Sequence, residues 1–165
     1  MRWTGTSTLA CSLALALAGV GAARAQRLSA TEAAVGAGAV LARRSFWGVE
    51  FAMARRPGGQ GRLALAAAGG AHGGTPGMRL EASAQFLLKP GERAGTSLYG
   101  GLGIAFVGTR SERGAGYLMA LIGLESAPGR PRGWYAELGL AGGVRVVGGR
   151  RWRRFPAWWN KQGRP

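Results

Sequence analysis

Aspartate is missing from this 165-residue chain, cysteine and histidine occur once each, and lysine occurs twice. The cysteine, Cys11, falls in residues 1–25, which read as a secretory signal. Arg2 gives a positive start, residues 9–21 form an apolar core, and Ala23-Arg24-Ala25 is a cleavage site before Gln26. That core is too short to span a bilayer as a helix. A lipoprotein reading of Cys11 is poor, because Thr8 rather than leucine stands three residues before it. Cleavage after Ala25 leaves no disulfide, no thiol nucleophile and no sulfur ligand for a metal. His72 has no neighbouring ligand, only Gly73 and Gly74, so it reads as an exposed loop residue. Neither G-x-G-x-x-G nor G-x-x-x-x-G-K-[ST] occurs in residues 26–165, so the glycines are read as turns and close packing. No metal and no cofactor is expected.

What is present is basic. Residues 26–165 are enough for one domain and carry 20 basic and seven acidic side chains, a net +13. All seven acids are glutamate, and arginine outnumbers lysine 20 to 2 over the whole chain. Such charge invites a nucleic-acid reading, but an exported chain seldom meets nucleic acid. Anionic lipid or lipopolysaccharide phosphate is the expected partner, since arginine pairs bidentately with phosphate. A GC-rich genome, which favours Arg, Ala and Gly codons, accounts for any single arginine equally well.

Residues 78–88 are the most informative run. One parity is Met78, Leu80, Ala82, Ala84, Phe86, Leu88; the other begins Arg79, Glu81, Ser83, Gln85. Successive strand side chains point to opposite faces, so this strand has one greasy face and one polar face. The division recurs in residues 46–54, 96–109 and 134–147, more faintly in 62–71, while 33–43 alternates weakly and 116–125 is apolar on both faces. These seven segments read as strands separated by Pro/Gly turns such as 55–61, 89–95 and 127–133. Gly148-Gly149 reads as a hairpin turn before a short eighth strand, 150–155, and 156–165 as an extended C-terminal extension. Thirty-one glycines argue against long helices. Strands this long suit an oblique crossing of a bilayer, which needs about 9–11 residues.

The collected faces sharpen the reading. Trp47, Phe51, Met53, Leu65, Leu102, Ile104, Leu138 and Val146 share the apolar side, where no charge falls within the strand bodies. Glu50, Arg79, Glu81, Glu137 and Arg145 share the other with Ser83, Gln85, Tyr99, Tyr135 and small residues. An apolar outside and a wet inside is the signature of an all-β, antiparallel, up-and-down transmembrane barrel, most simply of eight strands because the count is even. Inside it the five charges must pair, because an unpaired buried charge is costly. A plugged lumen with a Glu–Arg network is the expectation, with a structural role favoured over an ion path. The residues Arg150, Arg151, Trp152, Arg153, Arg154 and Phe155 read as an interfacial basic-aromatic tail, with rings at headgroup level and Arg on phosphate.

Several local runs carry a resemblance: the signal segment, the Gly-rich first strand, Arg56-Pro57-Gly58-Gly59, Pro90-Gly91, Ser97-Leu98-Tyr99-Gly100-Gly101-Leu102-Gly103, and Trp134-Tyr135-Ala136-Glu137-Leu138-Gly139. Together they resemble small bacterial outer-membrane β-barrel proteins, similar to the OmpA transmembrane domain and OmpX. The resemblance spans residues 33–150. It implies residence in the cell outer membrane, insertion by the barrel-assembly machinery, no cofactor and no enzymatic activity. Such barrels end on an aromatic residue of the closing strand, whereas Phe155 here is followed by 156–165. Lipid A deacylases of similar size use a His-x-Ser motif, which His72-Gly73-Gly74 does not match.

The domain reading is therefore signal 1–25, barrel 26–155 and extension 156–165. Two other functions stay open at this level. A soluble, lipocalin-like barrel would turn the apolar parity inward around a small apolar ligand. A lipid-modifying enzyme would need a nucleophile and base close together.

Overall fold

Eight antiparallel strands follow one another around a closed barrel: β1 (Ala30–Leu41), β2 (Phe46–Gly58), β3 (Gly61–His72), β4 (Thr75–Leu87), β5 (Thr96–Thr109), β6 (Ala115–Ser126), β7 (Arg132–Leu140) and β8 (Val144–Arg154). A short helix, α1 (Ala157–Lys161), follows β8. The computed structural model describes residues 28–110 and 113–161, so the predicted signal segment lies outside the described residues. Every strand pairs with its sequence neighbour, and β8 returns to β1 from Thr31↔Arg154 to Leu41↔Val144. Closure leaves no edge strand, each strand having a neighbour on both sides.

The parity of the strands decides which way the barrel faces. All of the predicted outer residues are exposed, among them Met53, Leu65, Leu102 and Ile104, with Leu102 at 70%. Glu50, Arg79, Glu81, Glu137 and Arg145 are buried in the lumen. This orientation rules out the lipocalin-like arrangement, which needs the opposite faces. β6, apolar on both sides, puts Met119 and Leu121 inward and Leu118, Ile122 and Leu124 outward. The two inward residues join Leu87, Tyr99, Ala105 and Ala141 in a lumenal apolar cluster.

Three predicted boundaries are corrected. The segment 134–147 is two strands, broken at residues 141–143. Gly142 adopts φ 78, open to glycine without strain, and Ala141 N donates to Gly143 O at 3.0 Å. Alternation continues in phase across this break, which hid it in the sequence. Gly148-Gly149 is then no turn but the middle of β8, opposite Ala37 and Gly36 of β1. A Cβ at Gly36 would meet the Tyr135 hydroxyl, and one at Gly149 would meet the Val35 carbonyl. Gly36 thus leaves room for the Tyr135 hydroxyl, and Gly149 lets β8 lie close against β1.

The third correction concerns the predicted tail. Arg150, Arg151, Trp152, Arg153 and Arg154 lie in β8, and Phe155 is buried just beyond it. Arg151 and Arg153 face the lumen, while Arg150, Trp152 and Arg154 face outward. The chain then turns into α1 instead of running on extended. Trp159 Nε1 donates to Gly129 O at 2.9 Å, and Arg93 donates to Trp159 O at 2.7 Å while stacking on its ring. The helix thus folds over the barrel end that carries the β4–β5 and β6–β7 connections.

Candidate functional site

Small residues make room inside the barrel for long charged ones. Ala52, Ala64, Ala66, Gly101 and Gly103 share the inward parity of β2, β3 and β5. Into that space project five glutamates (32, 50, 81, 125, 137) and six arginines (56, 62, 79, 145, 151, 153), all buried. Five of the seven acids of the chain are therefore inside.

The predicted residues form the cluster nearer the β7–β8 turn. Arg145 sits at its centre: Nη1 lies 2.7 Å from Glu137, Nη2 lies 2.9 Å from Glu50 and 2.8 Å from Glu81, and Nε donates to Glu81 at 3.0 Å. Arg79 donates to Glu81 at 2.6 Å and to the Ala141 carbonyl at 2.9 Å. Two guanidiniums thus face three carboxylates.

A second cluster, nearer the start of β1 and the end of β8, was not foreseen from the sequence. Glu125 accepts from four arginines: Arg62 at 2.6 and 2.8 Å, Arg151 and Arg153 at 2.9 Å each, and Arg56 at 3.3 Å. Glu32 pairs with Arg56 and lies 3.1 Å from Arg62 Nε, yet its oxygens accept no aligned hydrogen bond. Charge alone holds it. Arg56 also donates to the Pro90 and Pro128 carbonyls, tying the network to the loops beneath α1. Here four guanidiniums face two carboxylates.

Arg151 and Tyr99 join the clusters. Arg151 Nη2 lies 3.5 Å from Glu137, and its guanidinium stacks over the Tyr99 and Tyr135 rings at 5.5 and 4.5 Å. The Tyr99 hydroxyl donates to Glu137 at 2.6 Å while Arg62 covers its ring at 5.0 Å. The surplus positive charge of one cluster therefore leans on the surplus negative charge of the other. The void recorded beside Arg145, Arg79 and Glu50 is only ≈ 10 Å³, about the room of one water.

Sequence reasoning missed this second cluster for identifiable reasons. Glu32 precedes the predicted first strand, and Arg56 was assigned to a turn although β2 runs on to Gly58. Arg62 shares the parity of Ala64 and Ala66, and Glu125 that of Met119 and Leu121. Carrying the alternation past the predicted ends would have found Glu32 and Arg56, while Arg62 and Glu125 stand at predicted ends whose faces carried no other charge.

Chemically, each lumenal carboxylate lies against at least one guanidinium, an arrangement that holds charge in place rather than leaving a base free. Among the described residues no group of three or more His, Cys, Asp or Glu is placed to hold a metal. His72 ends β3, half-buried, and its carbonyl accepts from the Thr75 hydroxyl at 2.9 Å. It lines a ≈ 290 Å³ hollow with Arg43, Arg44, Arg79 and Tyr117.

No family model and no curated protein matches the chain. The fold is shared with solved barrels. The N-terminal β-barrel domain of Pseudomonas aeruginosa OprF is 20% identical, with a TM-score of 0.54 over 76% of this chain and 97% of that one. The outer membrane protein OprG from Pseudomonas aeruginosa gives 0.58 at 9% identity, over 79% and 98%. Neisserial surface protein A gives 0.53 at 13% identity, over 75% and 96%. At such identities the likeness is one of fold: this chain is built as a small eight-stranded barrel of the outer-membrane type.

Proposed function

We propose that this barrel resides in the cell outer membrane and serves a structural, envelope-stabilising role, with a plugged lumen and no enzymatic activity. One observation carries the proposal: the apolar parity faces outward while paired charges run through the lumen. An apolar outer belt asks for lipid, because a soluble monomer rarely exposes a large contiguous apolar patch. A lumen filled by paired guanidiniums and carboxylates leaves little room for solute, and opening it would strand buried charge. The likeness to OprG, an outer membrane protein by name, supports the location. In this reading residues 1–25 direct export, 26–155 form the barrel, 156–165 extend from it, and the barrel-assembly machinery inserts it.

Two measurements test it. The protein should fractionate with outer membranes and migrate differently on gels before and after heating; recovery as a soluble periplasmic protein would refute the location. Reconstituted into a planar bilayer it should give no sustained unitary conductance. Stable channel steps would overturn the plugged lumen.

A further inference from the structure

The outer surface at the start of β1 and the end of β8 carries an arrangement that the lumenal network does not use. Thr31 of β1 pairs laterally with Arg55 of β2 on one side and Arg154 of β8 on the other, and all three side chains face outward. Neighbouring antiparallel strands place paired Cα atoms about 4.5–5.5 Å apart, so the two arginines bracket the threonine across about 10 Å. Among the described residues neither arginine has an ion-pair or hydrogen-bonding partner. Two unpaired guanidiniums beside an apolar belt are costly in hydrocarbon and favourable against phosphate.

One residue pair deeper, Ala33 lies between Met53 and Trp152. The small alanine makes a floor and the two large side chains make walls. Val35 and Phe51 continue the same hollow towards the barrel waist. Arg132 and Arg150, paired across strands with Trp152 and Trp134, extend the basic-aromatic rim.

From this geometry we infer a lipid site: Arg55, Thr31 and Arg154 hold the phosphate of an anionic glycerophospholipid, and one acyl chain lies along Ala33 between Met53 and Trp152. The inference rests on the bilayer reading above. A single bracket suits one phosphodiester better than the two separated phosphates of lipid A. The guanidiniums supply charge-assisted hydrogen bonds, the threonine hydroxyl a further donor, and the groove excludes water from the chain below.

The test uses the folded full chain in bilayer nanodiscs of equal phosphatidylcholine and phosphatidylglycerol, extracted gently, with retained lipid counted by mass spectrometry. Each basic side chain near an anionic surface favours the charged lipid, so phosphatidylglycerol should be retained about tenfold over phosphatidylcholine. R55Q/R154Q should lose most of that preference, while R43Q/R110Q, at the opposite end, should keep it. Equal retention of both lipids by the unaltered protein overturns the site, as does equal loss in the two variants. In a competition arm with lipid A, preferential capture of lipid A overturns the assignment to a glycerophospholipid. A chain that inserts but shows no preference refutes only the site. One that enters no bilayer refutes the membrane reading itself.

Discussion

Replacing Glu125 by glutamine should weaken the barrel more than any other single neutralisation of a lumenal carboxylate. Its two oxygens take contacts from Arg56, Arg62, Arg151 and Arg153, and its side chain is 1% exposed. Glutamine keeps the volume and one acceptor but removes the charge, leaving four guanidiniums against Glu32 alone. Removing one partner of a buried pair costs about 3–5 kcal/mol. Because glutamine retains an acceptor, the lower figure of about 3 kcal/mol is expected. Urea titration of the protein folded in detergent micelles, followed by heat-modifiable migration, would read this as a midpoint lowered by roughly 1–3 M at ordinary slopes. Glu32→Gln should cost less, since no aligned hydrogen bond is lost with its charge. The double variant E125Q/R153Q should recover part of the loss by restoring charge balance. If E125Q unfolds within about 0.5 kcal/mol of the unaltered protein, a typical surface-substitution effect, the network is not what holds the lumen together.

Leu102 lies near the middle of β5 and faces outward, so Leu102→Arg should cost about 2–4 kcal/mol in a bilayer, the range for a charge at the midplane of a lipid face. Refolding yield into vesicles reads it, and no change would mean that this face meets water. Gly149→Val should impair closure, because a side chain there meets the Val35 carbonyl across the β1–β8 seam. Overpacking of this kind costs about 1–3 kcal/mol, and an unchanged urea midpoint would show the seam to be looser than described.

Most of the barrel was readable because alternation is a local signal. The β4 run Met78 to Phe86 declares both faces within a few residues, and β5 repeats it with larger apolar side chains. Legibility failed where alternation stopped carrying information. β6 is apolar on both faces because its inward Met119 and Leu121 pack against Leu87 and Tyr99 rather than against charge. The break at 141–143 kept phase, so a hairpin looked like one long strand. The pair Gly148-Gly149 has the composition of a turn, yet Gly149 is small because the Val35 and Gly36 backbone of β1 lies against it, a requirement set by a strand far away in sequence. The network showed the same limit: parity identified which side Arg145 and Glu81 occupy, but only closure of the barrel brings Glu32 beside Arg151 and Arg153 of β8.

The abundance of arginine remains to be assigned to chemistry or to codon usage, and Arg145→Lys separates the two. Genome composition explains why a cation is arginine; it does not explain why five of the seven glutamates point into the lumen. Arg145 reaches three of them at once, spending Nη1 on Glu137, Nη2 on Glu50 and Glu81, and Nε on Glu81. That division of labour needs a planar fork with spaced nitrogens. A lysine would bring the same charge on a single nitrogen, leaving at least one buried carboxylate without a hydrogen bond. An unsatisfied buried charged group costs more than the roughly 1–3 kcal/mol of a neutral one, partly offset by the retained charge, so a loss of about 2 kcal/mol is expected in the urea titration. Arg145→Gln, which removes charge as well as geometry, should cost more. Were R145K as stable as the unaltered protein, charge alone would hold the carboxylates, and the arginine could be credited to codon usage.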